Sequence, residues 1–434
     1  MATSTGSGVL EERTDARGAG VSPGRSRAVA SRLRSFVQET LADFPWPVRL
    51  HDWTGETVEA GGQEAHWCGR SLDVTVRTEA AARCLLRYDI MGFLEKFLEG
   101  EADLEGNLYM LSDLSRFARF RLKALQALPQ LLLHGAFQNV SRASINVKSH
   151  YDIPQKALDV YLDRVYMSYS CGMFENPERL DPADLLTVGR GREDDFDSLE
   201  KAQWRKFKDA VDYVAPRQGE SLVDIGCGYG GQLRVALESQ PFGKVVGWTH
   251  SANQAREGRA MLADFDADRW ELNEGDYRQE ERVFDHVTST GMVSHVGPRG
   301  LVPYVRNVRR RIKTGGRYLH HALMTPHNRF PRDLQLGPAF NKKYVWPGFH
   351  WFTVGQHVRA LEVNGFEVQR MTNLSRHYAK TTASWYERMM SQRELMVQNL
   401  GEPTLRAWQI FLAGITGAYL NKGVHVYRLY CEAV

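Results

Sequence analysis

Val223-Asp224-Ile225-Gly226-Cys227-Gly228-Tyr229-Gly230-Gly231 sets a carboxylate ahead of four glycines in six residues. An apolar run, Ser221 to Ile225, leads in, and a helix-compatible run, Gln232 to Glu238, leads out. Glycine allows a sharp turn, or close approach of backbone to a ligand, because no Cβ stands in the way. At the mouth of a strand-turn-helix unit that freedom builds a nucleotide-cofactor pocket. The chemistry on offer is cofactor binding, and the flanking residues choose the cofactor.

A dinucleotide needs G-x-G-x-x-G and an acid about twenty residues on to hold a ribose. Here the spacing is G-x-G-x-G-G, and the next apolar run, Lys244 to Thr249, ends in Thr249-His250-Ser251 without a carboxylate. No Gly-Lys-Ser/Thr follows to grip a phosphate. An Asp-x-Gly-x-Gly loop suits S-adenosylmethionine (SAM), which has no pyrophosphate and brings an ammonium for Asp224. SAM is the expected cofactor, with a dinucleotide the weaker alternative. Asp224 and the backbone at Gly226, Gly228 and Gly230 would hold its amino-acid end. Thr249, Ser251 and Gln254 stand where ribose contacts are needed, and Asp276 with Tyr277 where the adenine would lie. Taken singly, Gln254 or Asp276 reads equally well as a surface polar residue.

These residues need a frame. The chain of 434 residues suits two domains, and 43% hydrophobic with 25% charged content is ordinary for a globular protein. A net charge of +3 is too small to imply a nucleic-acid partner. The five cysteines are scattered without C-x-x-C pairing, which argues for a reducing compartment and against a metal site or disulfide frame. No apolar stretch reaches the ~18 residues that span a bilayer. Residues 1–27 are rich in Gly, Ser, Thr, Ala and Arg and lack an apolar signal core, so a disordered tail is expected.

Apolar residues recur at helical spacing from Val29 to Leu41. Short alternating segments follow at Pro47–His51, Thr57–Glu59 and Leu72–Thr78, then helical runs at Ala80–Arg87 and Met91–Glu99. Gly100 to Leu108 reads as a turn. This gives a small α+β domain over 28–115. A linker over 116–148 mixes Arg116, Arg119, Arg121 and Lys123 with Phe117, Phe120 and Leu122, fitting a plain amphipathic helix or one lying on an anionic membrane. From 149 to 434, strands alternate with helical runs, as in a parallel α/β sheet. Seven are expected: Ser221–Ile225, Lys244–Thr249, Arg269–Leu272, Asp285–Ser289, Arg317–Leu323, Phe366–Asn373 and Val424–Glu432.

Ordered motifs around the loop carry a resemblance. Ser149-His150-Tyr151-Asp152, Tyr161-Leu162-Asp163, Met167 to Phe174, Leu199 to Gln203 with Lys206, Thr249-x-Ser251-x-x-Gln254, Gly275 to Arg278 and His377 to Thr381 follow one another. In this order they resemble the cyclopropane-fatty-acyl-phospholipid synthases and mycolic acid cyclopropane synthases. The region around Gly100-Glu101 and Glu105 to Leu108 is similar to the lipid-binding domain of the phospholipid-acting members. The resemblance implies a class I SAM methyltransferase: a seven-stranded doubly wound α/β sheet with a smaller N-terminal α+β lipid-binding domain. It also implies transfer of a methyl group to the cis double bond of an unsaturated phospholipid acyl chain, through a carbocation. By the same resemblance Tyr169 and Ser170 close over the cofactor. Bicarbonate, held by Cys171, His321, Tyr378 and the Leu323 backbone, removes the proton that closes the ring. Cys171 alone would read as a buried thiol.

Two positions depart from the family pattern. Where the family has Glu-His-x-Gly, this chain has Ser294-His295-Val296-Gly297, and a C-terminal family cysteine falls at Ile415. Loss of that glutamate from beside His295 removes an acceptor that orients the bicarbonate. The expected product is then a mid-chain methylene-branched acyl group, with a cyclopropane as the alternative. A non-catalytic lipid-binding homologue and a small-molecule heteroatom methyltransferase are the competing functions. The expected partners are the phospholipid, the membrane surface, a second copy of the chain and a separate reductase. The expected location is cytoplasmic, at the inner face of the membrane. Arg306, Arg309, Arg310, Arg311 and Lys313 read as a solvated helix face. Arg329, Arg332, Lys342 and Lys343 among Phe330, Phe340, Tyr344, Trp346, Phe349, Trp351 and Phe352 suit either the basic mouth of an acyl tunnel or a packed subdomain.

Overall fold

The computed structural model describes residues 23–114, 153–189, 196–326 and 336–434. The expected linker helix, Ser149 to Asp152, and Arg329, Phe330 and Arg332 lie outside these residues. The first part runs α1 (Pro23–Thr40), β1 (Val48–His51), β2 (Thr57–Ala60), β3 (Leu72–Val76), α2 (Glu79–Leu86), α3 (Ile90–Leu98) and β4 (Ala102–Gly106). The sheet order is β2-β1-β3-β4, with β1 and β3 parallel. Pro23 to Arg27, expected in the tail, form the start of α1, where proline's fixed φ suits a helix start. The expected turn from Gly100 to Leu108 is corrected: it contains β4, paired antiparallel to β3 with Leu104 opposite Val74. Ala102 and Leu104 point inward while Asp103 and Glu105 do not, so the period of two is present. Acidic residues on a strand at the end of the sheet hide that signal and also guard the edge.

The second part runs α4 (Gln155–Tyr161), α5 (Pro182–Leu186), α6 (Leu199–Val214), β5 (Ser221–Ile225), α7 (Gly231–Ser239), β6 (Lys244–Thr249), α8 (Ala252–Leu262), β7 (Trp270–Glu274) and β8 (His286–Thr290). It continues α9 (Leu301–Arg310), β9 (Arg317–Thr325), α10 (Leu336–Phe340), β10 (Phe352–Thr353), α11 (Val354–Glu362) and β11 (Phe366–Asn373). It ends α12 (Ser375–Ser391), α13 (Arg393–Leu400), α14 (Glu402–Leu420) and β12 (His425–Ala433). The sheet order is β11-β12-β9-β8-β5-β6-β7, with β10 beside β9. β12 is antiparallel to both its neighbours, and all seven expected strands lie close to their expected bounds. The chain leaves β5 toward β6 on one side and later returns to β8 on the other. This switch point opens a crevice at the carboxyl ends of the strands.

Strand-and-helix alternation does not delineate α12 to α14, which form a layer between the two sheets. One hydrophobic core joins Leu33, Leu50, Phe97 and Met110 of the first part to Tyr161, Trp385, Leu412 and Tyr419 of the second. Arg70 pairs with Glu387, whose other contact is the Tyr109 hydroxyl at 2.8 Å. Arg406 Nη2 reaches Asp103 at 2.7 Å. At Gly417 of α14 a Cβ would stand 1.9 Å from Ser112 Oγ and 2.8 Å from the Tyr109 carbonyl oxygen. The two parts therefore meet at backbone distance.

Candidate active site

A cavity of about 380 Å³ opens at the switch point. Asp224, Gly226 and Gly228 line it from the loop after β5, Thr249 and Gln254 from beyond β6, and Tyr277 from beyond β7. His295 lines it from the turn after β8, and Tyr169 with Ser170 from the segment before α6. Gly226 and Gly228 have φ of 78° and 56°, in the left-handed region that favours glycine. A Cβ at Gly226 would press Met292 at 3.0 Å, whereas one at Gly228 would meet open space. Gly228 is thus demanded by backbone conformation and leaves the cavity floor clear.

Asp224 is buried and accepts a hydrogen bond from Thr288 Oγ1 at 2.8 Å. Burial pushes its carboxyl up to about 7, against the smaller downward pulls of Thr288 and the Lys206 ammonium. A ligand ammonium would restore its charge. Thr249 Oγ1 donates to Gln254 Oε1 at 2.7 Å, forming one polar edge.

Three expected cofactor residues do not line the cavity. Gly230 caps the start of α7, and Ser251 Oγ caps α8 by accepting from Gln254 N at 3.3 Å. Asp276 caps the turn Tyr277–Gln279 and pairs with Arg278 Nη2 at 2.5 Å. This leaves Tyr277, Trp248 and Arg278 on the wall there.

The roof is built by residues that the glycine loop does not announce. Asp163 accepts from the backbone N–H groups of Tyr166 at 2.6 Å and Ser168 at 2.7 Å, bending the chain over the cavity. Met167, at φ 49°, makes the turn. Lys206 is fully buried on α6 and donates to Ser168 Oγ at 2.5 Å and Ser170 Oγ at 2.8 Å. Its burial lowers the ammonium toward neutrality. A sequence signal existed: Lys206 shares helical spacing with Ala202, Gln203 and Ala210, the buried face of α6.

A second cluster lies behind the roof, and its members are not on the cavity wall. Cys171 is fully buried, with Sγ 3.2 Å from the Gly172 carbonyl and 3.7 Å from that of Leu374, and burial pushes its thiol up to about 12. His321 on β9 is buried, and Arg428 Nε on β12 donates to its Nδ1 at 3.4 Å. Tyr378 on α12 stacks on Tyr419 at 5.0 Å. Lys206 and Arg428 act electrostatically on both Cys171 and His321, which places the four groups in one neighbourhood. Ser294 sits in the turn Met292–His295, whose capping residue Gly291 donates its N–H to the His321 carbonyl oxygen at 2.9 Å. The motif His377 to Thr381 clamps the segment that carries Cys171: Thr381 Oγ1 accepts from Gly172 N at 3.0 Å and His377 Nδ1 from Phe174 N at 3.0 Å. Ile415 is buried in α14.

These residues fit the two small molecules the sequence implies. The cavity joins a buried carboxylate, a bare glycine floor and a hydroxyl-amide pair, which suits SAM. Behind it, His321 Nε2 and Arg428 Nη2 are buried with no hydrogen-bond partner, and the charges of Arg428 and Lys206 both act on His321, which suits a small anion; Ser294 Oγ is also buried without a partner. Among the described residues no His, Cys, Asp and Glu gather as metal ligands.

The sequence profile of the family described as mycolic acid cyclopropane synthetase matches residues 138–429, more than half of the chain. The chain belongs to this family. Its class is that of SAM-dependent methyltransferases acting on lipids. A probable fatty acid methyltransferase of Pseudomonas putida is 28% identical over 397 residues, covering 90% of this chain and 92% of its own. The cyclopropane-fatty-acyl-phospholipid synthase of Escherichia coli (strain K12) is 28% identical over 292 residues, covering 67% and 69%. The crystal structure of mycolic acid cyclopropane synthase CmaA1 with SAH and CTAB superposes with a TM-score of 0.59 at 22% identity, over 67% of this chain and 98% of that one, and supports the fold. Matches span 66% to 92% of the length of the first four curated relatives.

Proposed function

We propose that this enzyme methylates the cis double bond of an unsaturated acyl chain in a phospholipid and releases a methylene-branched chain. Asp224, the Gly226–Gly228 backbone, Thr249, Gln254 and Tyr277 hold SAM, which supplies an electrophilic methyl group when bound. An alkene is its own nucleophile, so the protein's task is alignment, worth up to roughly 7–11 kcal/mol. Tyr169 and His295 turn the cavity toward aromatic residues: Tyr169 stacks on Trp385 at 5.1 Å, and Trp346 lies 5.8 Å from Tyr169 and 6.0 Å from His295. Trp408 and Phe411 of α14 extend this surface and suit an acyl chain. Lys343 is tied to Glu95 of α3 at 2.6 Å, so the cover is braced by the first part of the molecule.

Ser294 carries the product assignment. Its hydroxyl is buried without a partner, where the family pattern has a carboxylate. With a hydroxyl where the family pattern has a carboxylate base, proton removal from the new methyl slows. The neighbouring carbon keeps its positive charge long enough for a 1,2-hydride shift from the methyl-bearing carbon. Transfer of a proton from that methyl group to a base then leaves a methylene (C=CH2) branch on the open chain. The intact set Cys171, His321 and Tyr378 favours the second reading, a cyclopropane. Incubation with SAM and dioleoyl phospholipid, followed by mass spectrometry before and after mild hydrogenation, separates them. A methylene chain takes up hydrogen and becomes methyl-branched, whereas a ring survives and would overturn the methylene reading. Unchanged lipid would overturn the enzymatic one. Ser294→Glu is expected to move most of the product to the ring.

A further inference from the structure

Arg428 is the only arginine among the largest fully buried side chains of the described residues, and it lies on the one reversed strand of the main sheet. Its guanidinium is spent in three directions. Nη1 donates to the Lys206 carbonyl oxygen at 3.0 Å and to Asp209 at 2.5 Å, and Nε donates to His321 Nδ1 at 3.4 Å. Nη2 has no protein partner. Arginine only donates hydrogen bonds and keeps its proton in proteins. The nitrogen of His321 that receives Nε must therefore be the bare one, which places the imidazole proton on Nε2. That Nε2 is buried and has no acceptor in the protein.

We propose that Arg428 is a positioning residue that locks His321 as its neutral Nε2–H tautomer, aiming a fixed donor at a small oxyanion of the bicarbonate class. Burial and the cations Arg428 and Lys206 keep the imidazole uncharged, so the lock holds at neutral pH. Register explains how the contact arises: His321 pairs with Arg428 between β9 and β12, so their side chains leave the same face of the sheet. The anion rests on the reading of His321 under the proposed function, whereas the tautomer does not.

Nitrogen NMR on protein labelled at histidine tests the two separately, with His321→Asn identifying the signal. In the wild type, His321 Nδ1 is expected to resonate as an unprotonated nitrogen and Nε2 as N–H. A proton on Nδ1, or on both nitrogens, would overturn the proposal. In Arg428→Gln, whose amide both donates and accepts, the single tautomer is expected to give way to a mixture. An unchanged Nε2–H tautomer there would remove Arg428 from the role. Asp209→Asn, which removes the negative charge from an Arg428 contact without touching His321, is expected to keep the wild-type tautomer. Bicarbonate added with S-adenosylhomocysteine (SAH) is expected to shift the Nε2–H signal, with half-saturation raised at least about tenfold in Arg428→Gln. A signal that ignores bicarbonate while the tautomer stands would sink the anion reading and leave the lock intact. The wild-type tautomer can be read even if Arg428→Gln fails to fold.

Discussion

Asp224 meets two conflicting demands. Burial under the roof disfavours its charge, yet a ligand ammonium needs that charge. With its carboxyl pushed up to about 7, the free enzyme carries the ionised form in about half the molecules at pH 7 and in about one tenth at pH 6. The ammonium selects the ionised form, so binding tightens as pH rises. Calorimetry with SAH is expected to show affinity about fivefold higher at pH 7 than at pH 6. Lys206 titrates in the same range. Asp224→Asn separates the two: it should weaken binding and flatten this slope, and a slope that survives it would assign the effect to Lys206. Gly228→Ala forces a Cβ into φ 56° without a clash, so the expected cost is the backbone penalty of ~1 kcal/mol, read as a lower Tm.

At the scale of elements, the close approach at Gly417 decides how α14 seats against the turn Leu108–Ser112. A Cβ there meets Ser112 Oγ and the Tyr109 carbonyl oxygen, and the latter is backbone that cannot rotate away. Gly417→Val is expected to cost about 1–3 kcal/mol in thermal or urea unfolding. A neutral outcome would mean that the turn moves freely from α14. What the sequence discloses follows the same physics. The strands of the main sheet are short apolar runs bounded by turn residues, so their number and places are legible. Asp224, Gly226 and Gly228 are legible because their chemistry is local to one loop. Asp276 and Ser251 read as ligand residues in the sequence, and the fold adds a second task that short polar side chains after a strand often take, capping the next turn or helix. Lys206 was legible only as a member of the buried face of α6, and the role of Arg428 was illegible because its partners His321 and Asp209 lie far along the chain. The helices α12 and α14 escaped notice because a helix buried on most faces has little amphipathic period.

Across the whole molecule, the four-stranded sheet and the cofactor sheet share one hydrophobic core, fastened by Arg70 with Glu387 and by Arg406 with Asp103. Such a core does not come apart in halves. SAH at one hundred times its Kd should stabilise the fold by about 2.7 kcal/mol. Hydrogen exchange offers the check: amides of β1 and β3, outside the cavity lining, are expected to slow along with those of β5 when SAH binds. Exchange that slows only around β5 would show two units unfolding separately. The shared core thus gives the four-stranded sheet a lifetime set by a ligand bound in the other sheet, so a cell short of cofactor would lose both halves to proteolysis together.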